Sequence, residues 1–321
     1  MKSILTKTGK ISVIFAYVLL LVVSASAQLS LRNAVDTDKD NKADFSVFRP
    51  SNGTWYILKS GGGFTFQQFG VGDDDTMTPG DYDGDGKGDI AVWRDSNGVW
   101  YRLNSSDNTF TAIQFGTTND EPVARDYDGD GKTDLAVVRR TGTNMIWYQL
   151  RSNNAFSAVQ FGLATDYIAP GDYDGDRKFD IAVQRPGANP TSQAIFYILK
   201  SLDNSVQSTP WGIGNDLVVP GDYDGDQKTD IAVVREGPTP ESNLIWYILQ
   251  SSDNRFVAHA FGVTGTDQLA QNDYDGDGKT DVAVWRDTNG TFYALRSTDR
   301  GLTSVQWGLP SDSPIAGYDT H

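Results

Sequence analysis

Several residue types are absent or scarce in this sequence. Its 321 residues include no cysteine, and His259 and His321 are the only histidines. The chain therefore cannot form disulfides, and it has few of the ligands that a zinc site usually requires. Basic residues are also in deficit, with 27 Lys and Arg against 42 Asp and Glu and a formal charge of −15. This acidity argues against nucleic acid as a partner, because nucleic acids select basic surfaces.

The N-terminus has the pattern of an export signal. Lys2, Lys7 and Lys10 precede the apolar run Ile11–Val23, and Ala25-Ser-Ala27 offers small residues for cleavage. We interpret residues 1–27 as a secretory signal peptide, since thirteen apolar residues are few for a bilayer span. An uncleaved anchor is the alternative. The prediction is a secreted protein, extracellular or periplasmic or associated with the cell surface, with no membrane insertion after cleavage.

A nine-residue stretch recurs six times, with Asp at positions 1, 3, 5 and 9 and Lys at position 7. The copies are Asp36, Asp38, Asp40 and Asp44 with Lys42; Asp81, Asp83, Asp85, Lys87 and Asp89; Asp126, Asp128, Asp130, Lys132 and Asp134; Asp172, Asp174, Asp176, Lys178 and Asp180; Asp222, Asp224, Asp226, Lys228 and Asp230; and Asp273, Asp275, Asp277, Lys279 and Asp281. The first three aspartates match the alternating oxygen ligands of an EF-hand loop, and glycine at position 6 in three copies permits its left-handed turn.

This pattern predicts five or six Ca²⁺ ions, because calcium takes six to eight oxygen ligands in flexible geometry. The lysine would contribute its backbone carbonyl while its ammonium points to water. Four carboxylates within nine residues repel one another unless a cation is present. A surface turn without an ion is the alternative, and the first copy, with Lys39 and Asn41 in place of glycines, is the least regular.

The copies are spaced 45, 45, 46, 50 and 51 residues apart, and each is followed by the same strand signals. A short apolar strand ends in Arg, as in Ile90-Ala-Val-Trp-Arg94, and a second strand carries an aromatic pair, as in Trp100-Tyr101. A strand closing in Phe-Gly or Trp-Gly follows, and then an apolar connector that leads into the next aspartate loop. No helix-like segment follows residue 27. The spacing predicts an all-β fold, a single β-propeller domain over residues 28–321 with four-stranded antiparallel blades.

Six complete strand sets predict six blades, with seven as the alternative, and place the calcium loops between strands one and two of each blade. Gln28–Val35 and Ser313–Tyr318 both resemble the innermost strand, so we expect one of them to close the ring across the chain ends. The aromatic pairs suit core packing, with a sugar-stacking platform as the alternative. The six strand-end arginines are expected to pair with loop carboxylates or to stack on aromatic rings.

The motif Asp-Tyr-Asp-Gly-Asp-Gly-Lys-Thr-Asp followed by Leu/Val-Ala-Val, with Phe-Gly closing each unit, resembles the FG-GAP/VCBS repeats of calcium-binding propellers. Integrin α-subunit heads and secreted bacterial proteins carry similar repeats. The resemblance covers Asp36 to about Gly317. It implies calcium-stabilised blades with a role in adhesion, protein recognition or carbohydrate binding. Integrin-type rings have seven blades, which departs from the six strand sets counted here.

The function predicted from these observations is a non-catalytic adhesion or recognition module for an extracellular protein or glycan. A polysaccharide lyase or hydrolase is one alternative, and a purely structural spacer is another. Near-identical loops used six times do not provide the two differently tuned carboxyls that a glycosidase needs, and no Gly-x-Ser-x-Gly elbow is present. Longer strand two–three turns at Thr141–Met145, Pro186–Ala194 and Gly237–Asn243 are a candidate binding surface. Ligand identity and oligomeric state do not follow from the sequence.

Overall fold

A computed structural model describes residues 34–316, which form six four-stranded antiparallel sheets. The sheets are the blades of a six-bladed β-propeller, so the predicted fold class and blade number are confirmed and the seven-bladed alternative is wrong. Each blade is built from strands that follow one another along the chain, except that the last strand of the chain joins the first blade. The signal-peptide prediction for residues 1–27 lies outside the described residues.

Strand bounds follow the repeat. The first blade holds β1 (Phe45–Arg49), β2 (Thr54–Leu58) and β3 (Phe64–Gln68), and the second holds β4 (Asp75–Met77), β5 (Ile90–Arg94), β6 (Val99–Leu103) and β7 (Phe110–Gln114). The third holds β8 (Glu121–Pro122), β9 (Leu135–Thr141), β10 (Asn144–Leu150) and β11 (Phe156–Leu163). The fourth holds β12 (Tyr167–Ile168), β13 (Ile181–Arg185), β14 (Gln193–Leu199) and β15 (Val206–Ile213). The fifth holds β16 (Leu217–Val218), β17 (Ile231–Arg235), β18 (Asn243–Leu249) and β19 (Phe256–Val263). The sixth holds β20 (Asp267–Leu269), β21 (Val282–Arg286), β22 (Thr291–Leu295) and β23 (Leu302–Gln306), and β24 (Ser313–Ile315) returns to the first blade. A 3-10 turn, Gly72–Asp74, precedes β4.

The first ring of every aromatic pair is buried, which confirms core packing and excludes these rings as an exposed sugar platform. They are Trp55, Trp100, Trp147, Phe196, Trp246 and Phe292. Alternation along a strand sends the two rings of a pair to opposite faces of the sheet. The buried indoles also find an acceptor, since Nε1 of Trp100 donates to the carbonyl of Phe115 at 2.7 Å. Burying a large aromatic surface without an unpaired N–H is what stabilises each blade.

The C-terminal segment closes the ring. Strand β24 pairs antiparallel with β1, with Ser46 opposite Ile315 and Phe48 opposite Ser313. It takes the innermost place that β4, β8, β12, β16 and β20 hold in the other blades. Of the two candidate segments, Ser313–Tyr318 is therefore the one that supplies the inner strand. Within Gln28–Val35, residues 28–33 lie outside the described part of the chain.

One predicted loop is wrong. Residues 141–145 are not a loop, because β9 and β10 extend into that region and turn at Gly142 and Thr143. The other two insertions are loops, at residues 186–192 and 236–242. No helix within residues 34–316 is long and apolar enough to cross a membrane.

Candidate metal sites

The aspartate at position 1 holds each loop in its shape. In the second loop, Asp81 Oδ1 accepts the backbone N–H of Gly84 at 2.7 Å, and Asp81 Oδ2 accepts that of Gly86 at 2.9 Å. Gly84 and Gly86 have φ of 82° and 84°, in the left-handed region that suits glycine. The chain therefore curls around this carboxylate, and the same pair of bonds recurs in the loops that begin at 36, 126, 172, 222 and 273.

The aspartate at position 9 ties the loop to the turn between strands three and four. Asp89 Oδ2 accepts the backbone N–H of Tyr82 within the loop, and Asp89 Oδ1 accepts that of Ser105 in the turn. A serine hydroxyl from this turn also donates to the position-5 carboxylate, as Ser105 does to Asp85 at 3.1 Å. The serines are Ser60, Ser105, Ser152, Ser201, Ser251 and Ser297. These serines were not predicted from the sequence, although a serine stands at this point of every repeat.

Carboxylate oxygens converge in these loops closely enough for one cation. In three loops one oxygen from each of positions 1, 3 and 5 lies within 4.8 Å of the others. In two others the converging oxygens come from positions 1, 3 and 9. The first set is Asp36, Asp38 and Asp40; Asp81, Asp83 and Asp85; and Asp222, Asp224 and Asp226, and the second is Asp126, Asp128 and Asp134; and Asp172, Asp174 and Asp180. Hard oxygen donors in this number suit calcium better than zinc.

Two position-3 oxygens provide a test of whether a cation fits. Oδ1 of Asp38 and Oδ1 of Asp128 are buried and have no hydrogen-bond partner among the described residues. Leaving a carboxylate oxygen buried without a donor is costly, and a coordinated cation would satisfy it. These orphaned oxygens lie in the converging sets, so the residues present fit a divalent cation.

Burial also raises the pKa of the loop carboxyls. It raises the pKa of the position-9 carboxyls of Asp134, Asp180, Asp230 and Asp281 to about 7, with neighbouring loop carboxylates adding to the rise. At position 1, burial raises the pKa of Asp81 and Asp172 to about 6 and that of Asp222 to about 7. Burial disfavours the negative charge of these carboxyls, and a bound cation would compensate it.

The irregular first loop has the same geometry as the others. Asp36 accepts the backbone N–H of Lys39 at 2.7 Å and of Asn41 at 2.9 Å, although neither residue is glycine. Lys39 and Asn41 adopt φ of 64° and 68°. A lysine pays a steric penalty of about 1–2 kcal/mol there, because its Cβ crowds the following carbonyl. The first loop therefore retains its carboxylate cluster at the expense of backbone strain.

The position-7 lysines correct one expectation. Their side chains do not simply extend into water, since five of them pass over the position-4 glycine of the preceding loop. The glycine–lysine pairs are Gly84 with Lys132, Gly129 with Lys178, Gly175 with Lys228, Gly225 with Lys279 and Gly276 with Lys42. Lys132 Nζ also donates to the carbonyl of Asp83 at 2.9 Å. Neighbouring loops are thus in contact, while the lysine backbone carbonyls remain predicted ligands.

Backbone hydrogen bonds join all six loops into a closed circle. In each, the N–H at position 8 donates to the carbonyl at position 1 of the preceding loop. The bonds run from Gly88 to Asp36, Thr133 to Asp81, Phe179 to Asp126, Thr229 to Asp172, Thr280 to Asp222 and Ala43 to Asp273, with lengths of 2.6–2.9 Å. The first and sixth loops are joined exactly as their neighbours are, so this circle closes independently of β24.

The strand-end arginines do pair with carboxylates and stack on rings, but the carboxylates lie outside the aspartate loops. Arg94 donates from Nε and Nη2 to Asp75 at 2.7 and 2.9 Å, and its guanidinium lies 4.5 Å from the ring centre of Tyr101. The other pairs are Arg49–Asp312, Arg139–Asp120, Arg185–Asp166, Arg235–Asp216 and Arg286–Asp267. These aspartates were not predicted from the sequence, although five of them stand six residues before an aspartate loop.

Sequence comparison places these loops in a family. Residues 126–183, which begin with the third loop and continue through the fourth, match the FG-GAP-like repeat. The protein is thus a six-bladed propeller that carries an FG-GAP-like repeat at residues 126–183. No curated protein matches its sequence.

Solved structures are similar to this propeller over most of its length. An exotype rhamnogalacturonan lyase, YesX, shares 12% identity over 83% of this chain and 57% of its own, with a TM-score of 0.37. The chain thus spans a little over half of that lyase. A mutant of AofleA from Arthrobotrys oligospora shares 11% identity over 84% of this chain and 88% of its own, with a TM-score of 0.43. A mutant apocarotenoid oxygenase from Synechocystis shares 8% identity over 83% of this chain and 78% of its own, with a TM-score of 0.44.

Proposed function

We propose that this propeller is a secreted, calcium-stabilised scaffold that acts as a non-catalytic recognition module for an extracellular protein or glycan. The observation that carries the calcium assignment is the convergence of carboxylate oxygens in successive loops, with buried oxygens of Asp38 and Asp128 left without a donor. The aspartates at positions 1, 3, 5 and 9 and the carbonyl of the position-7 lysine would hold the ion. Calcium would supply positive charge to compensate these carboxylates.

The uniformity of the loops supports a structural rather than catalytic role. An acid–base pair needs two carboxyls whose environments push their pKa values apart. Here burial raises the pKa of the position-1 and position-9 carboxyls in the same direction, to about 7 in both Asp222 and Asp230. Both oxygens of Asp222 and of Asp230 also accept backbone N–H groups that hold the fold together. The hydrogen bonds of these carboxylates therefore serve to hold the loops in their folded shape.

The proposed export rests on the N-terminal residues 1–27 and on the FG-GAP resemblance. Cell fractionation followed by N-terminal sequencing tests it, with Gln28 as the expected first residue of the exported protein.

Removing calcium tests the assignment of the loops. An ion that binds only the native state stabilises it by RT ln(1 + [L]/Kd), about 1.4 kcal/mol per site at tenfold excess over Kd. Because several sites add, we expect a chelator to lower the melting temperature markedly and calcium to restore it. Isothermal titration calorimetry should give five or six ions per chain, and magnesium at equal concentration serves as the control. A melting curve that is unchanged after metal removal contradicts the calcium assignment.

A further inference from the structure

A cavity of about 300 Å³ opens between the fifth and sixth blades. Arg255, His259 and Arg300 line it, together with the position-7 lysine of the sixth loop, Lys279. Four basic or potentially basic side chains thus meet at one cavity in a chain whose formal charge is −15. Its position beside loop residues places it on the same face of the propeller as the aspartate loops.

Comparison of the six blades shows that three of these residues are departures from the repeat. Arg255 occupies the position of Gly63, Thr109, Ala155, Ser205 and Gly301, directly before the outermost strand. His259 lies opposite Trp246, where the strand register of the other blades places Gln67, Ile113, Val159, Thr209 and Val305. Arg300 occupies the turn position of Gly62, Asn108, Asn154, Asn204 and Asn254. Three residues that differ from their counterparts in the other blades therefore line the same cavity.

The backbone at Arg300 makes its departure costly. Its φ is 59°, close to the values of 56–59° at Asn108, Asn204 and Asn254 in the equivalent turns. Asparagine tolerates this left-handed conformation, whereas a long side chain is strained in it. The fold accepts similar strain at Arg177 and Gln227, whose φ values are 73° and 71°.

The guanidinium groups at the cavity have no carboxylate partner. Arg255 Nε donates to Gln250 Oε1 at 2.7 Å, and Arg300 Nη1 lies 2.9 Å from His259 Nε2. Within residues 34–316 neither arginine forms an ion pair, in contrast to Arg235 and Arg286 at the strand ends of the same two blades. Asp224 and Asp253 also line the cavity, but they accept hydrogen bonds from Ser252 and from the backbone N–H of Arg255.

The imidazole of His259 holds Arg300 in place. A guanidinium can only donate hydrogen bonds, so it needs an unprotonated ring nitrogen, and Arg300 Nη1 lies 2.9 Å from Nε2 and 3.3 Å from Nδ1. Burial and the nearby Arg300 lower the pKa of His259, which keeps the ring neutral. The arginine is thus fixed by a neutral partner and keeps its full charge available toward the cavity.

The other residues that line the cavity indicate which class of ligand it suits. Val257, Val282 and Leu295 give the cavity an apolar side, while Gln250, Thr280 and Ser297 offer polar groups. Its volume lies at the lower end of the range for small-molecule sites, about 300–1,000 Å³. A guanidinium group suits a planar carboxylate, which it can bind by charge-assisted hydrogen bonds, and Arg255 and Arg300 both line this cavity. A small ligand that carries hydroxyl groups and a carboxylate matches the volume of the cavity, its polar wall groups and its guanidinium groups.

We propose that the cavity between the fifth and sixth blades binds a uronic acid unit of an acidic glycan, with Arg255 and Arg300 holding its carboxylate. This inference deepens the proposed recognition role and rests on it. It places the ligand on the loop face, opposite the strand two–three turns that the sequence singled out.

The neighbouring blade interface offers a matched comparison. A cavity of about 250 Å³ lies between the fourth and fifth blades, and Thr209 and Asn254 stand there in place of His259 and Arg300. It keeps a position-7 lysine, Lys228, and has Lys200 on its wall. It therefore has similar size and some positive charge without the arginine pair.

Binding to the calcium-loaded, full-length mature protein tests the proposal. Galacturonate and glucuronate are titrated by calorimetry against galactose, glucose, acetate and sulfate. Arg255→Ser and Arg300→Asn, singly and together, restore residues that the fourth and fifth blades carry at these positions, so the variants are expected to fold. Because the double variant removes the charge-assisted hydrogen bonds to the carboxylate, its affinity for the uronate should fall by about tenfold or more. Lys200→Gln removes one charge from the neighbouring cavity and should leave binding unchanged.

The outcomes separate this inference from the proposed function. A preference for uronates over neutral sugars and simple anions, lost in the double variant and kept in Lys200→Gln, supports the site. Equal binding by the wild type and the double variant overturns it, as does binding of acetate or sulfate as tight as that of the uronates. Either failure leaves the calcium dependence of the melting temperature intact, and loss of that dependence is what overturns the proposed scaffold role.

Discussion

At the scale of single residues, the buried aspartates that pair with the strand-end arginines join three parts of the fold. Asp216 binds Arg235 through both oxygens, at 2.7 and 2.8 Å, and also accepts the backbone N–H of Ile213 at 2.8 Å. Its side chain is fully buried, and the guanidinium lies over the ring of Tyr247. One carboxylate therefore connects an inner strand, a second strand and the end of the preceding blade.

Removing this charge should destabilise the propeller. Asp216→Asn leaves Arg235 with a poorer acceptor and brings an amide N–H toward existing donors. We expect the free energy of unfolding to fall by about 2–4 kcal/mol, measured by urea denaturation in calcium. Asp299→Asn is the control, because its ion pair with Arg296 is exposed, so this variant should lower the free energy of unfolding far less than Asp216→Asn does. Similar losses for the two variants would contradict the assigned role of the buried pair.

The spacing of these aspartates also indicates which end of the chain supplies the inner strand of the first blade. Five of them stand six residues before the first aspartate of a loop, and Asp312 stands the same distance before Tyr318. Six residues before Asp36 the sequence has Ser30. Only the C-terminal segment could therefore supply the carboxylate for Arg49, which identifies it as the inner strand. The pairing itself links residues 263 positions apart, and no local pattern reports a contact over that distance.

At the scale of elements, neighbouring loops fit together through complementary residue pairs. A Cβ added at Gly171 would lie 2.6 Å from Cγ2 of Thr229, the position-8 residue of the next loop. Gly80 with Thr133 and Gly221 with Thr280 repeat this close approach. At the seam between the first two loops the sizes are reversed, with Val35 before the loop and Gly88 at position 8. One of the two residues is therefore glycine at these four junctions, whereas at the other two both positions carry a side chain, Arg125 with Phe179 and Asn272 with Ala43.

A double-mutant cycle measures this complementarity. Gly171→Val should destabilise by about 1–3 kcal/mol through overpacking, and Thr229→Gly should destabilise by loss of a buried side chain. Together they copy the arrangement of Val35 and Gly88, so the double variant should recover about 1–2 kcal/mol relative to the sum of the single losses. Urea denaturation in calcium gives the three values. Strict additivity would mean that the two positions do not share one space.

Element boundaries show where prediction from sequence ends. Strand alternation, the Asn-Gly turns and the aspartate loops recur often enough to predict four strands per blade, with a loop between strands one and two of each. Five loops stand there, but the first loop precedes β1, because the inner strand of the first blade comes from the C-terminal end of the chain. The turn at residues 141–145 was predicted as a loop because it is longer than an Asn-Gly turn. Instead β9 and β10 each extend outward, and β11 lengthens alongside them to Leu163. Cross-strand pairing, which a linear pattern does not contain, decides between a longer loop and a longer hairpin.

At the scale of the whole molecule, the many buried carboxyls make the stability of the propeller depend on pH. In the metal-free protein the pKa of the position-9 carboxyls of Asp134, Asp180, Asp230 and Asp281 is about 7, against an ordinary value near 3.8. The folded state therefore holds these protons more tightly than the unfolded chain does. The resulting stability is fully present below about pH 4 and is lost as the pH rises through 7.

Metal-stripped protein should consequently melt at a lower temperature at pH 8 than at pH 5. With calcium the gap between loaded and stripped protein should widen over the same range, because the ion needs ionised carboxylates. Differential scanning calorimetry at several pH values, with and without calcium, measures both effects. His259, whose pKa burial lowers, acts in the opposite direction but is a single group. Parallel pH profiles for the loaded and stripped protein would contradict the prediction.

The seam of the ring has a mechanical consequence. Strand β24 meets β1 over three residue pairs, one of them involving Pro314, which has no N–H to donate. A load applied at the C-terminal end would peel this short strand away one bond at a time. The first and sixth blades would still be held by the bond from Ala43 to Asp273 and by the stacked rings of Phe45 and Tyr274, 4.8 Å apart. Tension would therefore open the propeller in two stages, with the terminal strand yielding first while the circle of loops keeps its form.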